Sequence, residues 1–373
     1  MSGNLSEVLP SAAASVGAVG FTDTLALPAA DRVVVFLVDG LGRQLLERRA
    51  AYAPFLCSLS QPPARLQCSF PSTTATSIAT LGTGQLPGAH GMFGYTVLDP
   101  DRDTVFNELS WQGGPDPRQW QDRTTVFETT AQAGIPCFQI GDAHFAGSGL
   151  TQAALRGATF VGARTLDDRI DAAARILRSA PRALVYLYWG DVDKVGHGLG
   201  WQSEQWSHEL AAVDLAARQL AARVPADTSI VITADHGMVD VPPEARFDLG
   251  QPTGLGAQLA LGIRHLTGDP RAPMLFCQEG QADAVLRRWR TELGPGFDIK
   301  TRDEAIRAGW FGPVRPQLRS RVGDIVVTAT GPGMIWDSRN PTTSAGRLIG
   351  MHGGLTSQEM DIPLLVLPPR RPR

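Results

Sequence analysis

Five short aliphatic segments constrain the fold of this chain more than any other feature. They are Val33–Val38, Ile135–Ile140, Ala183–Tyr188, Ser229–Thr233 and Ile362–Leu367. Continuous apolar runs of this length indicate parallel strands that are buried on both faces. Ala, Leu, Arg and Glu recur at helical spacing in the intervening segments Arg123–Gly134, Leu166–Ser179 and Ser203–Val224. This alternation predicts an α/β fold with a doubly wound, mostly parallel sheet and helices on both faces.

The composition changes after Asp240, where Pro and Gly become frequent. Within this stretch, strand and helix patterns recur at Met274–Cys277, Gln281–Leu293, Arg302–Ala308 and Asp324–Thr330. The pattern is typical of a small α+β unit inserted before the last strand of a larger domain. We therefore expect a core domain formed by residues 1–240 and 346–373, with a cap or insertion subdomain formed by residues 241–345.

The composition excludes several classes of protein. Of the 373 residues, 43% are hydrophobic and 19% are charged, which excludes a disordered chain and a coiled coil. The formal net charge of −3 gives no basic surface for duplex DNA or for an anionic membrane. We expect no stable nucleic-acid complex and no membrane association. The sequence leaves the oligomeric state open.

The N-terminal residues and the cysteines indicate a cytoplasmic protein. No Lys or Arg precedes the small-residue stretch Ser11–Gly20, whereas a secretory signal begins with a positively charged region. The longest apolar runs are too short to span a bilayer. The four cysteines form no CxxC pair, so we expect reduced thiols in the core.

Acidic residues and histidines follow three of the predicted strands. Asp39 follows the first strand, Asp235-His236 follows the strand at 229–233, and Asp193 and His197 follow the strand at 183–188. One Asp after a strand is usually a helix cap. Three such sites at the carboxyl ends of parallel strands instead favour a site for a divalent ion such as Zn²⁺ or Mn²⁺. His352 is a fourth candidate.

A hydroxyl-rich segment, Ser69–Gly84, leads into a helical pattern. This arrangement places a threonine at the N-terminus of a helix, where free N–H groups and the helix dipole favour a phosphate. Taken alone, without the metal motifs, the segment is more typical of an ordinary Ser or Thr N-cap.

These motifs, in this order, resemble the alkaline phosphatase superfamily and, within it, the nucleotide pyrophosphatase/phosphodiesterase branch. The motifs are Asp39-Gly40, the threonine-containing helix start, Asp193-x-x-Gly196-His197, Asp235-His236-Gly237 and His352-Gly353. The resemblance covers residues 33–240 and 346–368. It implies an alkaline phosphatase-like metallohydrolase core, and it does not match the insertion residue by residue.

The resemblance also implies a role for each residue. Family members place the nucleophile ten residues before the Gly of a Thr-Gly pair, which selects Thr74 by its distance from Gly84 and leaves Thr73 as the alternative. Two divalent ions are implied, Zn²⁺ in the first place and Mn²⁺ as the alternative. The first would be held by Asp39, Thr74, Asp235 and His236, and the second by Asp193, His197 and His352.

Two departures from the family pattern concern substrate binding. At the position of an Asn that donates to the phosphate in this branch, the chain has Tyr95, and Asn107 is a second candidate for that donor. The Arg with which alkaline phosphatases bind a monoester dianion has no counterpart that we can identify. Its absence favours a diester or another less charged substrate.

The resemblance thus implies a two-metal enzyme that cleaves phosphodiester or pyrophosphate bonds through a covalent threonyl-phosphoryl intermediate. Its substrate would be a small, nucleotide-like diester. A phosphomonoesterase, or a phosphonate hydrolase of the phosphonoacetate type, on the same site is the alternative enzyme. A metal- or nucleotide-binding protein without turnover is the alternative outside the enzymes, and the complete ligand set argues against it.

Overall fold

The computed structural model describes residues 2–60, 65–339 and 345–370. Its strands are β1 Ser2–Asn4, β2 Arg32–Val38, β3 Arg65–Gln67, β4 Thr96–Asp99, β5 Thr104–Asn107, β6 Cys137–Gly141, β7 Thr159–Gly162, β8 Ala183–Trp189, β9 Thr228–Thr233, β10 Val239–Asp240, β11 Arg246–Asp248, β12 Ile263–Asp269, β13 Ala272–Cys277, β14 Phe297–Thr301, β15 Ile325–Ala329, β16 Met334–Trp336, β17 Gly350–Met351, β18 Asp361–Ile362 and β19 Leu364–Leu367. Its α-helices are α1 Val8–Ser15, α2 Arg43–Arg48, α3 Pro54–Ser58, α4 Thr74–Thr83, α5 Pro87–His90, α6 Pro117–Trp120, α7 Val126–Gln132, α8 Gly149–Ala154, α9 Leu166–Ser179, α10 Asp191–Leu199, α11 Glu204–Arg223, α12 Gly254–Ala260, α13 Ala282–Glu292, α14 Arg302–Arg307 and α15 Ser357–Met360.

A six-stranded sheet in the order β19-β9-β2-β8-β6-β7 forms the centre of the fold. β9, β2, β8, β6 and β7 run parallel, which confirms the predicted α/β class. β19 pairs with β9 in the antiparallel direction, so the predicted parallel direction of the last strand is wrong. An apolar run looks the same in either direction, and only the path of the chain into the strand fixes its sense.

Local sequence signals set the ends of the helices that cover this sheet. α9 begins after a capping box, in which the Thr165 hydroxyl accepts from the Asp168 N–H and the Asp168 carboxylate accepts from the Thr165 N–H. The observed bounds of this helix, Leu166–Ser179, are those predicted from the sequence. α11 begins after Ser203, whose side chain accepts from the Trp206 N–H. Such caps satisfy donors that the helix itself leaves free.

A second six-stranded sheet has the order β14-β15-β13-β12-β4-β5. Four of its strands come from the predicted insertion, whereas β4 and β5 come from residues 96–107. The contact is made where Gly268 of β12 pairs with Thr96 of β4. The insertion therefore extends a hairpin of the preceding chain, a pairing that the sequence pattern does not indicate. The boundaries at 241 and 345 stay a prediction, and residues 340–344 and 371–373 lie outside the described residues.

The structure describes all four cysteines and so tests their predicted place in the core. All four cysteines are free thiols, and Cys68, Cys137 and Cys277 are buried. Cys57 is exposed, so its predicted place in the core is wrong. Within the described ranges, every helix is too short or too polar to cross a membrane.

Candidate active site

Three adjacent parallel strands bring three aspartates to one edge of the central sheet. Asp39 directly follows β2, and Asp235 follows β9 after one intervening residue; both side chains are buried. Asp193 lies in the first turn of α10, which begins just after β8. Because β9, β2 and β8 are neighbours with the same direction, their carboxyl ends meet. The acidic residues selected from the sequence therefore lie together.

Thr74 and His236 complete a first group around Asp39. Thr74 Oγ1 lies 3.2 Å from His236 Nε2 and 3.5 Å from Asp39 Oδ2. His236 Nε2 lies 3.3 Å from Asp39 Oδ1 and 3.5 Å from Asp235 Oδ2. The side chains assigned from the sequence to the first ion thus face one space.

Asp193, His197 and His352 form a second group. His197 Nε2 lies 3.3 Å from Asp193 Oδ2, and His352 Nε2 lies 3.8 Å from Asp193 Oδ1 and 3.2 Å from His197 Nε2. Asp193 and His197 share a helix face because they are four residues apart on α10. Ligand atoms of Asp193, Asp39 and His236 also lie within 4.8 Å of one another. Asp193 therefore sits between the two groups, whereas the sequence assigned it to the second alone.

The three imidazoles of the site are oriented in the same way. His197 Nδ1 donates to the Gly350 carbonyl at 2.7 Å, His236 Nδ1 to the Gly237 carbonyl at 3.0 Å, and His352 Nδ1 to the Ser72 carbonyl at 2.9 Å. A carbonyl oxygen only accepts, so each Nδ1 carries a proton and each Nε2 faces the site. Histidines that bind a metal usually donate their other ring nitrogen to a carbonyl or carboxylate in this way.

Three buried carboxylate oxygens at the site have no hydrogen-bond donor in the part of the chain that the structure describes: Asp39 Oδ1, Asp193 Oδ1 and Asp235 Oδ2. Leaving a buried polar atom unpaired is costly. These oxygens converge with the Nε2 atoms of the histidines. The donor set, carboxylate oxygens and imidazole nitrogens without thiolates, is the chemistry that binds Zn²⁺ or Mn²⁺. The residues present therefore fit two divalent ions.

Burial and repulsion between neighbouring carboxylates raise the pKa values of Asp39 and Asp235, so the site without metal retains protons. Burial, and then the charges of Asp235 and Asp193, raise the pKa of Asp39 well above its ordinary value. Burial, and then the charge of Asp193, raise the pKa of Asp235 to about 7. Burial and the neighbouring rings of His236 and His197 lower the pKa of His352, which stays neutral. A divalent ion would take the place of these protons.

The neighbouring hydroxyls at the start of α4 have different partners. Thr74 is the first helical residue and faces the first group, whereas Thr73 is the N-cap residue. The Thr73 side chain makes no capping hydrogen bond and instead bonds to Asp269. The N–H groups of the first turn are therefore not capped by Thr73, and the positive end of the helix dipole lies beside Thr74. Both features favour a phosphate there.

Sequence reasoning missed two residues that contact this site. The Tyr188 hydroxyl donates to Asp39 Oδ2 at 2.5 Å. Asp269 is buried, accepts from the Tyr95 N–H at 3.2 Å, and is the last residue of β12, directly before the β12–β13 turn. Tyr188 is hidden in an apolar strand pattern, and Asp269 reads as an ordinary turn residue. Only the fold brings either of them to the site.

The two candidate phosphate donors lie in different environments. The Tyr95 side chain is 36% exposed and lines a cavity next to Thr74. Asn107 is in β5, and its Oδ1 accepts from the N–H groups of Leu109 and Ser110. Asn107 is not among the described residues that line the cavities at Thr74. The geometry thus brings Tyr95 to the site and gives Asn107 a turn-stabilising contact.

Two cavities meet at Thr74 and Asp193. The first, of about 230 Å³, lies between α4 and the ends of β6, β7 and β8, and its walls include Ile78, Leu150, Leu155 and Phe160. The second, of about 510 Å³, lies between Thr74 and the β12–β13 hairpin, and its walls include Tyr95, Asp269 and Trp336. A phosphorus atom at Thr74 can therefore carry a substituent in each direction.

The chain is similar to solved structures of known function class. The murine ectonucleotide pyrophosphatase/phosphodiesterase 5 matches with a TM-score of 0.71 at 20% identity, over 90% of this chain and 88% of that chain. The human protein matches with a TM-score of 0.69 at 19% identity and the same coverage. An inactive murine Thr→Ala variant in complex with AMP matches with a TM-score of 0.70 at 19% identity, again with the same coverage. These matches establish the alkaline phosphatase-like fold.

Sequence comparison identifies the family. A human relative, ectonucleotide pyrophosphatase/phosphodiesterase family member 5, is 26% identical over 288 residues, which are 74% of this chain and 55% of that protein. The chain thus spans about half the length of this curated relative. The model of the type I phosphodiesterase / nucleotide pyrophosphatase family matches residues 33–355. The chain therefore belongs to the type I phosphodiesterase / nucleotide pyrophosphatase family.

Proposed function

We propose that this protein is a two-metal hydrolase that cleaves phosphodiester or pyrophosphate bonds in small, nucleotide-like substrates, with Thr74 as its nucleophile. The observation that carries the proposal is the position of Thr74, at the junction of two cavities and within 3.5 Å of Asp39 and His236. A monoester has one substituent and needs one such cavity. A diester has two.

The lining of the first cavity favours an uncharged substituent. Its walls are mainly apolar, and no Lys or Arg lies among the described residues that line it. In the second cavity, Arg264 is paired with Asp103 at 2.6 Å. Among the described residues, neither cavity is thus lined by an unpaired guanidinium that could bind a monoester dianion. The lining therefore favours the diester over the phosphomonoester, in agreement with the missing Arg.

The chain's own residues supply the parts of an in-line displacement. Thr74 Oγ1 attacks phosphorus and gives up its proton, the bond to one substituent oxygen breaks, and that oxygen leaves with the electron pair and takes up a proton, so that a threonyl-phosphoryl intermediate forms. The N-terminus of α4 binds the charged phosphoryl oxygens. Water then attacks phosphorus, the bond to Thr74 breaks, and the threonine hydroxyl regains its proton. Orientation and charge stabilisation account for most of the catalysis in reactions of this type.

Two divalent ions would be held by the carboxylates and imidazoles of the two groups. When bound, they would lower the pKa of the Thr74 hydroxyl and neutralise charge on the phosphoryl and leaving oxygens. We propose Zn²⁺, with Mn²⁺ as the alternative. Tyr188 positions Asp39, and the carbonyls at Gly237, Gly350 and Ser72 hold the three imidazoles with Nε2 toward the ions.

A nucleotide-like substrate is supported by the murine relative whose structure contains AMP. In this chain, the apolar first cavity could receive a ring and the larger second cavity the other substituent. The assignment is tested with chromogenic compounds first, because they separate the substrate classes without assuming the natural substituents.

The test is steady-state hydrolysis of bis-(p-nitrophenyl) phosphate and p-nitrophenyl phosphate by metal-stripped protein, before and after addition of Zn²⁺ or Mn²⁺. We expect activity only with metal and a kcat/KM for the diester at least about tenfold higher, a difference of about 1.4 kcal/mol in the barrier. A higher kcat/KM for the monoester would contradict the diester assignment. Two bound ions without hydrolysis of either compound would contradict the esterase assignment and direct the search to phosphonates.

A further inference from the structure

A buried ion pair joins the β12–β13 turn to the loop that carries His352. Arg271 Nε donates to Glu359 Oε1 at 2.7 Å, and Arg271 Nη2 donates to Glu359 Oε2 at 2.8 Å. Both side chains have no solvent exposure. Arg271 lies between β12 and β13, whereas Glu359 is in α15, after the predicted ligand His352. The pair therefore crosses from the insertion to the core.

Glu359 transmits this contact to the backbone next to His352. Its Oε1 accepts from the Gly354 N–H at 2.8 Å, and its Oε2 accepts from the Thr356 hydroxyl at 2.5 Å. A carboxylate with these four donors is fully engaged. It fixes the chain two residues after His352, at a point where a rotation would displace the ring.

The other side of the same loop is joined to the start of α4. Ser72 N–H donates to the Gly353 carbonyl at 3.1 Å, and Gly353 N–H donates to Ser72 Oγ at 3.1 Å. The Ser72 carbonyl accepts from His352 Nδ1. The loop is thus held between Glu359 on one side and, on the other, the residue two positions before Thr74.

The end of β12, next to the β12–β13 turn, also packs closely against this loop. Gly353 has a φ of +126°, and a Cβ placed there would lie 2.8 Å from Asp269 Cβ. Asp269 also bonds to Thr73 and to the Tyr95 N–H. Asp269, at the end of β12, and Arg271, in the turn that follows, therefore contact both halves of the candidate site.

We infer that the β12–β13 turn positions the second metal group, with Arg271 acting through Glu359 as the positioning residue for His352. This inference rests on the proposed two-metal function. Arg271 Nη1 also donates to the Gly333 carbonyl and Nη2 to the Gly331 carbonyl, at 2.8 and 2.9 Å. The planar guanidinium makes four directed bonds at once, which the single ammonium of a lysine does not reproduce.

The test is Arg271→Lys, which keeps the positive charge and removes the planar guanidinium with its several N–H donors. We expect the protein to bind two Zn²⁺ ions, the weaker of them up to about 10-fold less tightly than in the wild type, the lower end of the effect of losing a group that bonds directly to a metal ligand. Isothermal titration of the metal-stripped protein measures the affinities. Hydrogen–deuterium exchange of the peptide covering residues 350–356 should be faster in the variant, and the visible spectrum of Co²⁺ at the second site should change.

The matched control is Arg302→Lys. Arg302 also joins a carboxylate, Asp324 at 2.8 Å, and a backbone carbonyl, that of Val322 at 2.8 Å, but it lies within the insertion and away from the His352 loop. It should lose stability without a change in metal affinity or in exchange at 350–356. Equal metal affinities, spectra and exchange in Arg271→Lys and Arg302→Lys would overturn the inference.

A second, more conservative variant tests the inference if Arg271→Lys does not fold. Thr356→Val removes one of the donors to Glu359 on a partly exposed side chain. It should weaken the second ion by a smaller factor than Arg271→Lys, and wild-type affinity in this variant would also contradict the inference. If the wild-type protein binds fewer than two ions, the proposed function fails instead, so the two failures are distinguishable.

Discussion

At the scale of single residues, Thr74 and Thr73 are adjacent in sequence but have different carboxylate partners. Thr74 Oγ1 is 3.5 Å from Asp39 Oδ2, whereas Thr73 bonds to Asp269. In the sequence, only the spacing to Gly84 selects Thr74, and a shift of that spacing by one residue would select Thr73 instead. Helix geometry separates the two side chains more clearly, since Thr73 is the N-cap residue and Thr74 the first helical residue.

We predict that Thr74→Ala lowers kcat by at least about 10³-fold, because a covalent route without its nucleophile retains only binding and electrostatic stabilisation. Zn²⁺ affinity should fall only slightly, since six other side chains remain. The control is Thr73→Ala, which should retain most of kcat. Stopped-flow or steady-state hydrolysis of bis-(p-nitrophenyl) phosphate measures the rates, and an inactive Thr73→Ala beside an active Thr74→Ala would move the nucleophile by one residue.

Glu108 is a second residue for which burial decides the chemistry. Burial raises the pKa of Glu108 to about 8, although Trp120 donates to it and Arg321 attracts its charged form. A carboxyl whose folded pKa lies above its unfolded value contributes stability that is complete below about 4.5 and is lost as the pH rises through about 8.

We therefore predict that the free energy of unfolding of the wild type, relative to Glu108→Gln, falls between pH 5 and pH 8 by up to about 1.4 kcal/mol per pH unit. The amide is neutral at every pH and removes this dependence. Urea denaturation of both proteins at several pH values measures the difference, in which all other titrating groups cancel. A difference that does not vary with pH would show that Glu108 is ionised in the folded protein.

At the scale of elements, two glycines of α10 have opposite surroundings. A Cβ at Gly196 would lie 2.4 Å from Met238 Sδ, and a Cβ at Gly350 would lie 2.2 Å from the same atom. Met238 is fully buried and lies against both Gly196 and Gly350, so its side chain has little room to move. A Cβ at Gly198 would meet nothing within 4 Å. The helix is thus packed tightly at its buried residues Val192 and Gly196, next to Asp193 and His197, and has open space at Gly198.

We predict that Gly196→Ala destabilises the protein by about 1–3 kcal/mol through overpacking and weakens Zn²⁺ binding by moving α10. Gly198→Ala, on the same helix, should stabilise it by about 0.5–1 kcal/mol, because alanine loses less backbone entropy in a helix. Urea denaturation with and without metal measures both effects. A Gly196→Ala variant as stable as Gly198→Ala would contradict the packing argument.

The same scale shows how far element prediction from sequence extends. The buried strands near residues 33, 137, 183 and 229 and the helix at 166–179 were identified because apolar runs and caps are local signals. The patterns at Met274–Cys277 and Gln281–Leu293 likewise coincide with β13 and α13. β4 and β5 were missed, since short strands with polar residues acquire their pairing partner, β12, only in the folded chain.

At the scale of the whole molecule, the site lies where the two sheets approach each other. One large hydrophobic cluster supports the central sheet, and a separate cluster that includes Leu259, Trp289 and Val327 supports the second sheet. Arg271 and Asp269 reach from the second sheet to the ligand loop. Metal binding and the association of the two units should therefore stabilise each other.

We predict that metal binding stabilises the whole protein more at pH 8 than at pH 5. The pKa of Asp235 is raised to about 7 in the metal-free fold, so its proton stabilises that fold at low pH and this contribution is lost as the pH rises through 7. Zn²⁺ binds the ionised form and should add about 2.7 kcal/mol at 100 times its dissociation constant.

Thermal unfolding with Zn²⁺ and with a chelator, at pH 5, 6, 7 and 8, measures this dependence. Asp235→Asn is the control variant, since it has no proton to release and should bind the first ion weakly at every pH. A metal-induced shift that is equal at pH 5 and pH 8 in the wild type would contradict the competition between proton and metal.

The sequence by itself determined the fold class, the order of the central elements and the family motifs, because these depend on local apolar periodicity and on short spacings such as Asp193 to His197. The tertiary structure alone decided that Asp193 lies between the two groups, that Tyr95 rather than Asn107 faces a cavity, and that the insertion shares a sheet with residues 96–107. It also decided that Tyr188, Asp269 and Arg271 reach the site. Contacts between residues far apart in the chain depend on strand order and direction, which no local pattern encodes.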